Sequence, residues 1–421
     1  MINLLSFSAY YAPETAASLY LYENLYCDFV NNDINVCLYT PIPSRGIDNA
    51  VRLEYKRTHK HEVLFKGKMV IHRFNLIREK RNPILRALRY SLSCIKQFNK
   101  AIFSKDARSC NVMFIASTPP IQGAMAALVK KFRRIPIIYN LQDIFPDSLV
   151  GTGLAKKNGF LWKIGRIIEN FTYSNADKII VISQDFKRNI MKKGVPEEKI
   201  EVIYNWVDEQ AIIPISREDN PLFDELGLDR QKFYIVYAGN LGNAQNIEII
   251  VDTANEIKDI TDINFIIFGT GGLERDYKEI VKTLKLNNIS FFPLQPYEKV
   301  SQVYSIGNAC IVSCKKGLGG SAMPSKTWSI MSAGVAVIAN FDKGELKNII
   351  ENNNCGIFTQ AGNKKAFKNA ILELYHNQEK AVQLGKNGRK FIMNNLTREI
   401  GTSKYIKVVK EVVGIFEKES E

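Results

Sequence analysis

The sequence predicts an α/β protein built as two Rossmann-like, doubly wound domains facing across a cleft. Three observations carry that reading. Short apolar runs alternate with amphipathic stretches up to about residue 204, the same alternation restarts near residue 233, and a polar, proline-containing stretch lies between them. Strand–helix alternation of this kind gives a parallel sheet covered on both faces. The chain has 421 residues, 46% of them hydrophobic, which suits two cores of about 200 residues each better than one.

In chain order, residues 2–8 and 36–40 read as strands, with an amphipathic helix over about 16–31 between them. Residues 112–117 and 135–140 are short apolar runs ended by turn or cap residues, and 178–183 and 200–204 close the first series. A linker is expected near 208–229. Beyond it, 233–238, 263–268, 289–292, 309–313 and 335–339 form the second series of strands. The last helix, about 398–418, is amphipathic and no strand follows it. The expected domains are therefore 1–208, completed by the helix at 398–421, and 209–397. Ligands of open α/β sheets bind outside the carboxyl ends of the strands, which makes the cleft between the domains the expected site.

Composition narrows the partners. A net charge of +14 and a pI near 9.2 attract nucleic acid, anionic lipid or phosphorylated ligands. No nucleic-acid-binding motif accompanies the charge, so nucleic acid is not expected. The N-terminal Met-Ile-Asn-Leu-Leu-Ser-Phe-Ser enters a strand without a basic flank or cleavage site, unlike a signal peptide. No apolar run approaches the roughly 20 residues that span a bilayer. Seven scattered cysteines, Cys27, Cys37, Cys94, Cys110, Cys310, Cys314 and Cys355, fit no zinc or redox spacing and read as reduced thiols of a cytoplasmic protein.

Chemistry is expected in the loops that follow strands. Tyr10-Tyr-Ala-Pro-Glu-Thr-Ala-Ala-Ser18 joins the first strand to the first helix, with Thr15 and Ala16 at the turn; such a turn aims backbone N–H groups at an anion. Gly239-Asn-Leu-Gly-Asn-Ala-Gln-Asn246 holds the same place in the second domain, and Gly269-Thr-Gly-Gly272 follows the next strand. Glycines there admit close approach of a ligand to the backbone. Ser321-Ala-Met-Pro-Ser-Lys-Thr-Trp328, with Ser329 beyond it, reads as a helix start where Pro324, Ser325 and Lys326 would meet a phosphate. Asn140-Leu-Gln-Asp-Ile-Phe-Pro-Asp-Ser148 puts Gln142 and Asp143 at a strand's carboxyl end.

Other chemistries lack their residues. His59, His61, His72 and His376 lie outside these loops, and no Asp-x-Asp pair occurs, so neither a Ser-His-Asp triad nor a metal is called for. One further segment, 78–108, sets Arg81, Arg86, Arg89, Lys96, Lys100 and Lys105 beside Ile84, Leu85, Leu88, Leu92, Ile95, Phe98 and Phe103. Basic side chains beside an apolar stripe suit an interfacial helix on an anionic membrane; a helix packed on its own domain reads the same way.

With these landmarks in order, the chain resembles the retaining glycosyltransferase family 4, of GT-B fold, over essentially its full length. The matching pieces are Tyr-Tyr-Ala-Pro-Glu-Thr, Ser-Thr-Pro-Pro at 117–120, Gln-Asp-Ile-Phe-Pro-Asp-Ser at 142–148, Ala-Asp-Lys-Ile-Ile-Val-Ile-Ser at 176–183, the run from Gly194 to Asp208, Gly-Asn-Leu-Gly and Pro-Ser-Lys. The Gln-Asp and Pro-Ser-Lys forms resemble bacterial O-antigen and capsule transferases, among them those handling fucose or N-acetylfucosamine. Against the family pattern, Ala16 and Ala17 stand where glycines are common, and Asn240 and Gln245 where an arginine and a lysine bind the diphosphate. Ser321 and Ser329 replace a glutamate pair, and Gln142 a histidine.

The resemblance implies metal-free transfer, with retention, from a nucleotide-sugar to a polyprenyl-diphosphate-linked or polysaccharide acceptor at the inner face of the cytoplasmic membrane. Catalysis would fall to Asp143, Gln142 and Lys326. Donor binding would fall to Thr15, Ala16, Gly239, Asn240, Gly242, Gln245, Gly269, Pro324, Ser325, Lys326 and Ser329. Two alternatives stay open: a non-catalytic GT-B subunit of a polysaccharide assembly complex, and a sugar-nucleotide epimerase.

Overall fold

The computed structural model describes every residue except 15–18, 80–81, 152–154, 320–321 and 421. It divides into two compact units, Met1–Tyr204 with Glu399–Glu421, and Asn205–Arg398.

The first unit holds an eight-stranded sheet. Its strands are β1 (Ile2–Phe7), β2 (Ile34–Pro41), β3 (His61–Leu64), β4 (Met69–Phe74), β5 (Val112–Ala116), β6 (Ile137–Leu141), β7 (Lys178–Val181) and β8 (Ile200–Val202). The order is β3-β4-β2-β1-β5-β6-β7-β8. All neighbours run parallel except β3 and β4, which form an antiparallel edge. That edge is absent from the predicted strands for a physical reason. In β4 only alternate residues, Met69, Ile71 and Arg73, are buried, and most of β3 is exposed, so neither makes the continuous apolar run of a strand covered on both faces. The central strands do make it: Val112 to Ala116 and Ile137 to Leu141 are buried throughout. Because β1 lies between β2 and β5, the winding reverses there, and a crevice opens at the carboxyl ends of β1 and β5.

The second unit carries β9 (Phe233–Asn240), β10 (Ile263–Thr270), β11 (Ile289–Phe292), β12 (Ala309–Ser313), β13 (Ala336–Phe341) and β14 (Gly356–Gln360). They form a parallel sheet in the order β11-β10-β9-β12-β13-β14. Relabelled from its first strand this is the 3-2-1-4-5-6 order of dinucleotide-binding sheets, and its winding reverses between β9 and β12. Its core joins Ile235, Tyr237, Ile267, Ile311 and Ile338 to Ile250, Ala254, Phe367, Ile371 and Leu374 of the flanking helices. Two parallel-sheet Rossmann-like domains are thus the architecture.

The segment after Tyr204 packs with the second unit. Trp206 and Val207 are buried, and the Val207 N–H donates to the Leu396 carbonyl at 3.1 Å. Arg389 ties the chain further along by donating to the carbonyls of Glu209 and Ile212, both at 2.9 Å. The final helix, Arg398–Ser420, buries Tyr405, Val408, Val409, Val412 and Val413. Tyr405 meets Phe114 of β5 edge-on, 6.0 Å between ring centres.

The basic segment at 78–108 separates its charged side chains from its apolar ones. It is a helix over Pro83–Phe103, started by Asn82, whose side chain accepts from the N–H groups of Ile84 and Leu85, and then a short turn over Lys105–Arg108. Arg89 is buried and donates to the Ile77 carbonyl and the Ser44 hydroxyl. Lys96 donates to the Asn75 carbonyl at 2.7 Å, and Arg86 pairs with Glu79 at 3.3 Å. These three cations are turned toward their own domain because nearby carbonyls and a carboxylate need partners; Arg81 lies outside the described residues. The apolar side chains do the opposite: Ile84, Leu88, Ile95 and Phe103 are exposed. No helix among the described residues is long and apolar enough to cross a membrane.

Candidate functional site

In the second unit the predicted residues converge at the carboxyl end of β9. Strand alternation puts Tyr237 and Gly239 on one face, and Lys326 arrives there from the start of the helix Lys326–Ser332. Its ammonium sits over the Tyr237 ring, 4.1 Å from the centroid. A Cβ on Gly239 would stand 2.7 Å from that nitrogen, so only glycine leaves room for it. Burial, with no carboxylate in ion-pair contact among the described residues, lowers the lysine's pKa to about 8. The ammonium is held by a ring face and has no counter-ion among the described residues, which is what a site awaiting an anion requires.

The glycine loop is fixed around it. The Tyr237 hydroxyl donates to the Asn240 carbonyl at 2.9 Å, and the Ser313 hydroxyl, at the end of β12, donates to the Gln245 carbonyl at 2.6 Å. The Lys315 N–H reaches the Ala244 carbonyl at 2.9 Å, and its ammonium lies 3.2 Å from Glu248. Asn240 and Gln245 face each other at 3.5 Å as two neutral amides. A Cβ on Gly242 would fall 2.8 Å from the Asn240 amide nitrogen. Gly269, predicted among the donor-binding residues, is also a packing position. It pairs with Gly239 across β9 and β10, where a Cβ would stand 2.2 Å from the Gly239 carbonyl oxygen, so it serves strand packing.

Ser325 precedes the helix, but its side chain makes no capping hydrogen bond. Pro324 and Ser329 are half-buried, the latter one turn after Lys326. Thr15, Ala16 and Ser321 lie outside the described residues.

In the first unit, Gln142 and Asp143 follow β6. The Gln142 N–H donates to the Ser117 hydroxyl at 3.0 Å, and its side-chain amide donates to Asn140 Oδ1 at 3.0 Å. Asp143 stands exposed; the protein packed on its inner side raises its carboxyl above the usual range, against hydrogen bonds from the Ser148 hydroxyl and the Ile144 N–H. The loop that carries it is braced at its far end, where Lys193 lies 2.8 Å from Asp147 and 2.9 Å from Glu169. Gly165 lets the helix Phe160–Asn175 press on that loop, since a Cβ there would stand 2.6 Å from Pro146. Among the described residues no group of three or more His, Cys, Asp or Glu side chains converges as metal ligands would.

Three site residues escaped the sequence reading. Tyr237 was legible by its place two residues before Gly239. Lys315 had no signal beyond following β12. Tyr405 had none, because its partner Asn140 is 265 residues away.

Two family models match in tandem: Glycosyltransferase Family 4 over residues 24–211 and Glycosyl transferases group 1 over 218–391. Escherichia coli K12 has a relative named for colanic acid biosynthesis, the glycosyl transferase WcaI. It is 28% identical over 49% of this chain, and the match spans about half (51%) of that relative. The Pseudomonas aeruginosa glycosyltransferase WbjE is 24% identical over 73% of this chain and 76% of its own. The structure of Anabaena Alr3699/HepE with UDP-glucose superposes with a TM-score of 0.71 over 98% of this chain and 100% of that one, at 15% identity, a likeness of fold. With one model on each unit and solved neighbours that match both sheets, the chain belongs to the group 1/family 4 glycosyltransferases of GT-B fold.

Proposed function

We propose that the chain moves a sugar from a nucleoside-diphosphate donor to a polyprenyl-diphosphate-linked saccharide in bacterial surface-polysaccharide assembly, O-antigen or capsule, with retention and without metal or other cofactor. The observation that carries it is the Lys326 ammonium held over Tyr237 beside Gly239 with no acid paired to it among the described residues. Negative charge grows on the departing diphosphate, and a preorganised cation with loop N–H groups stabilises it there. The leaving phosphate then helps remove the proton of the incoming hydroxyl on the same face. Asp143, with Gln142 beside it, orients sugar or acceptor hydroxyls. Support for the donor class comes from the HepE neighbour bound to UDP-glucose, and for the pathway from the relative named for colanic acid. Within O-antigen and capsule transferases the chain is similar to those handling fucose or N-acetylfucosamine, and one of these is the donor sugar proposed.

The test is purified protein with a panel of nucleotide sugars and a polyprenyl-diphosphate-linked acceptor, read by mass spectrometry. Extension of the acceptor by one sugar is expected. Neither transfer nor donor hydrolysis with any donor would instead favour a non-catalytic subunit, and interconversion of donors an epimerase. Within that assay Asp143→Asn should cut transfer far more than it cuts binding of the free nucleoside diphosphate by calorimetry. Equal losses would move Asp143 out of the sugar and acceptor region.

Such an acceptor sits in the cytoplasmic membrane, and peripheral attachment at its inner face goes with this reading. Supporting it are exposed apolar side chains on three helices of the first unit: Ile84, Leu88, Ile95 and Phe103, then Leu128 and Phe132, then Phe160, Leu161, Ile164 and Ile167. Co-sedimentation with anionic vesicles should fall when Phe103, Phe132 and Phe160 become serine, because each buried aromatic contributes about 1.5–3 kcal/mol. Unchanged sedimentation would leave these faces as ordinary surface.

A further inference from the structure

We propose that Tyr405, carried on the last helix of the chain, is a positioning residue that holds the side chain of Gln142 for transfer. The inference rests on the reading of Gln142 given above and adds to it the residue through which its amide is aimed. Asn140 is the polar interruption of an otherwise apolar strand and is 2% exposed. A buried amide of this kind must find partners, and it finds them across the fold. The Tyr405 hydroxyl donates to Asn140 Oδ1 at 3.1 Å, Gln142 Nε2 donates to the same oxygen at 3.0 Å, and Asn140 Nδ2 donates to the Tyr22 hydroxyl at 3.3 Å. Tyr405 is itself in hydrogen-bond contact with Gln142 as well as with Asn140.

The contact is local, since Gln142 is the first residue after β6 and lies two positions beyond Asn140. Gln142 is thereby held at both ends. Its N–H is fixed by Ser117 at the end of β5, and its side chain by the Asn140–Tyr405 pair. A free glutamine side chain loses up to about 1.5–2 kcal/mol of rotamer freedom when ordered; here that ordering precedes substrate. The hydroxyl is separable from the docking of the helix. Val408, Val409, Val412 and Val413 are buried along the same helix, and the Tyr405 ring packs edge-on against Phe114, contacts that phenylalanine keeps.

Tyr405→Phe is therefore the test, measured beside Gln142→Ala and the double variant. Tyr405→Phe should lower kcat roughly three- to tenfold, the share of one hydrogen bond. The KM for donor, the melting temperature and the affinity for free nucleoside diphosphate should stay as in wild type. In the Gln142→Ala background it should lower kcat no further, because both changes remove the same placement. A wild-type kcat in Tyr405→Phe, or a loss that adds fully to that of Gln142→Ala, overturns the positioning role. If Gln142→Ala itself turns over at the wild-type rate, the reading of Gln142 fails instead, and the two failures are told apart.

Discussion

Lys326→Met should lower turnover roughly ten- to a hundredfold or more while the melting temperature holds or rises. One charge-assisted hydrogen bond to phosphate contributes about 1.5–3 kcal/mol, and each 1.36 kcal/mol is about tenfold in rate. Two neighbouring amides, Asn240 and Gln245, offer no cation to share the task. The stability side has the opposite sign. The lysine's pKa in the folded chain, about 8, lies below its value of 10.5 in an unfolded one. Between those limits the unfolded state holds more protons, so stability rises with pH through that window, and the cost of burying the cation is fully present below about pH 8. Methionine fills the same stem over Tyr237 without that cost. Activity and stability trading against each other at one side chain is what a binding site, rather than a packing site, produces.

The same titration gives a pH signature. Below about pH 8 the ammonium is charged before ligand arrives; above it, binding of a diphosphate must first take up a proton. Affinity for free nucleoside diphosphate should therefore decline above about pH 8, with proton uptake measurable by calorimetry in buffers of different ionisation enthalpy. In Lys326→Met the decline should be gone. A decline that persists in the variant would assign the titration to another group and remove Lys326 from the diphosphate.

Much of the fold is legible from one-dimensional pattern, and where it is not the cause is identifiable. The strands buried on both faces announce themselves as apolar runs, as in Phe265 to Phe268 and Val112 to Ala116. The edge pair β3 and β4 does not, because a wet face breaks the run. In the site, the loop residues were readable because β9 and β12 flank the place where the winding reverses, and loops there face ligands whatever their composition. Gly269 is ambiguous in sequence because glycine has two uses. Beside a ligand it admits the ligand, and beside another strand it admits that strand's carbonyl. The cations of 78–108 left two readings open for a related reason. Charge in a sequence has no direction, and Arg89 and Lys96 point at their own backbone. Tyr405 lay beyond sequence reasoning altogether, since only tertiary structure brings it to Asn140.

Gly239→Ala should abolish transfer at least as fully as the loss of Lys326, and unlike that change it should also lower stability. Gly239 has φ +148°, in the half of backbone space that side chains with a Cβ rarely enter. Holding alanine there costs about 1–3 kcal/mol, which for a unit of this size lowers the melting temperature by roughly 2–4 °C per kcal/mol. The second effect is local. The new methyl group would stand 2.7 Å from the Lys326 ammonium and 3.5 Å from the Tyr237 hydroxyl. Of those neighbours the lysine moves most easily, so the clash is relieved by swinging the ammonium off the ring, away from where phosphate would meet it. The two contributions separate experimentally. Adding Gly239→Ala to Lys326→Met should lower the melting temperature again but should not slow the residual transfer, because the cation is already absent. If Gly239→Ala keeps wild-type turnover while melting earlier, the glycine serves backbone conformation alone, and the close approach of Lys326 to the loop has no part in the reaction.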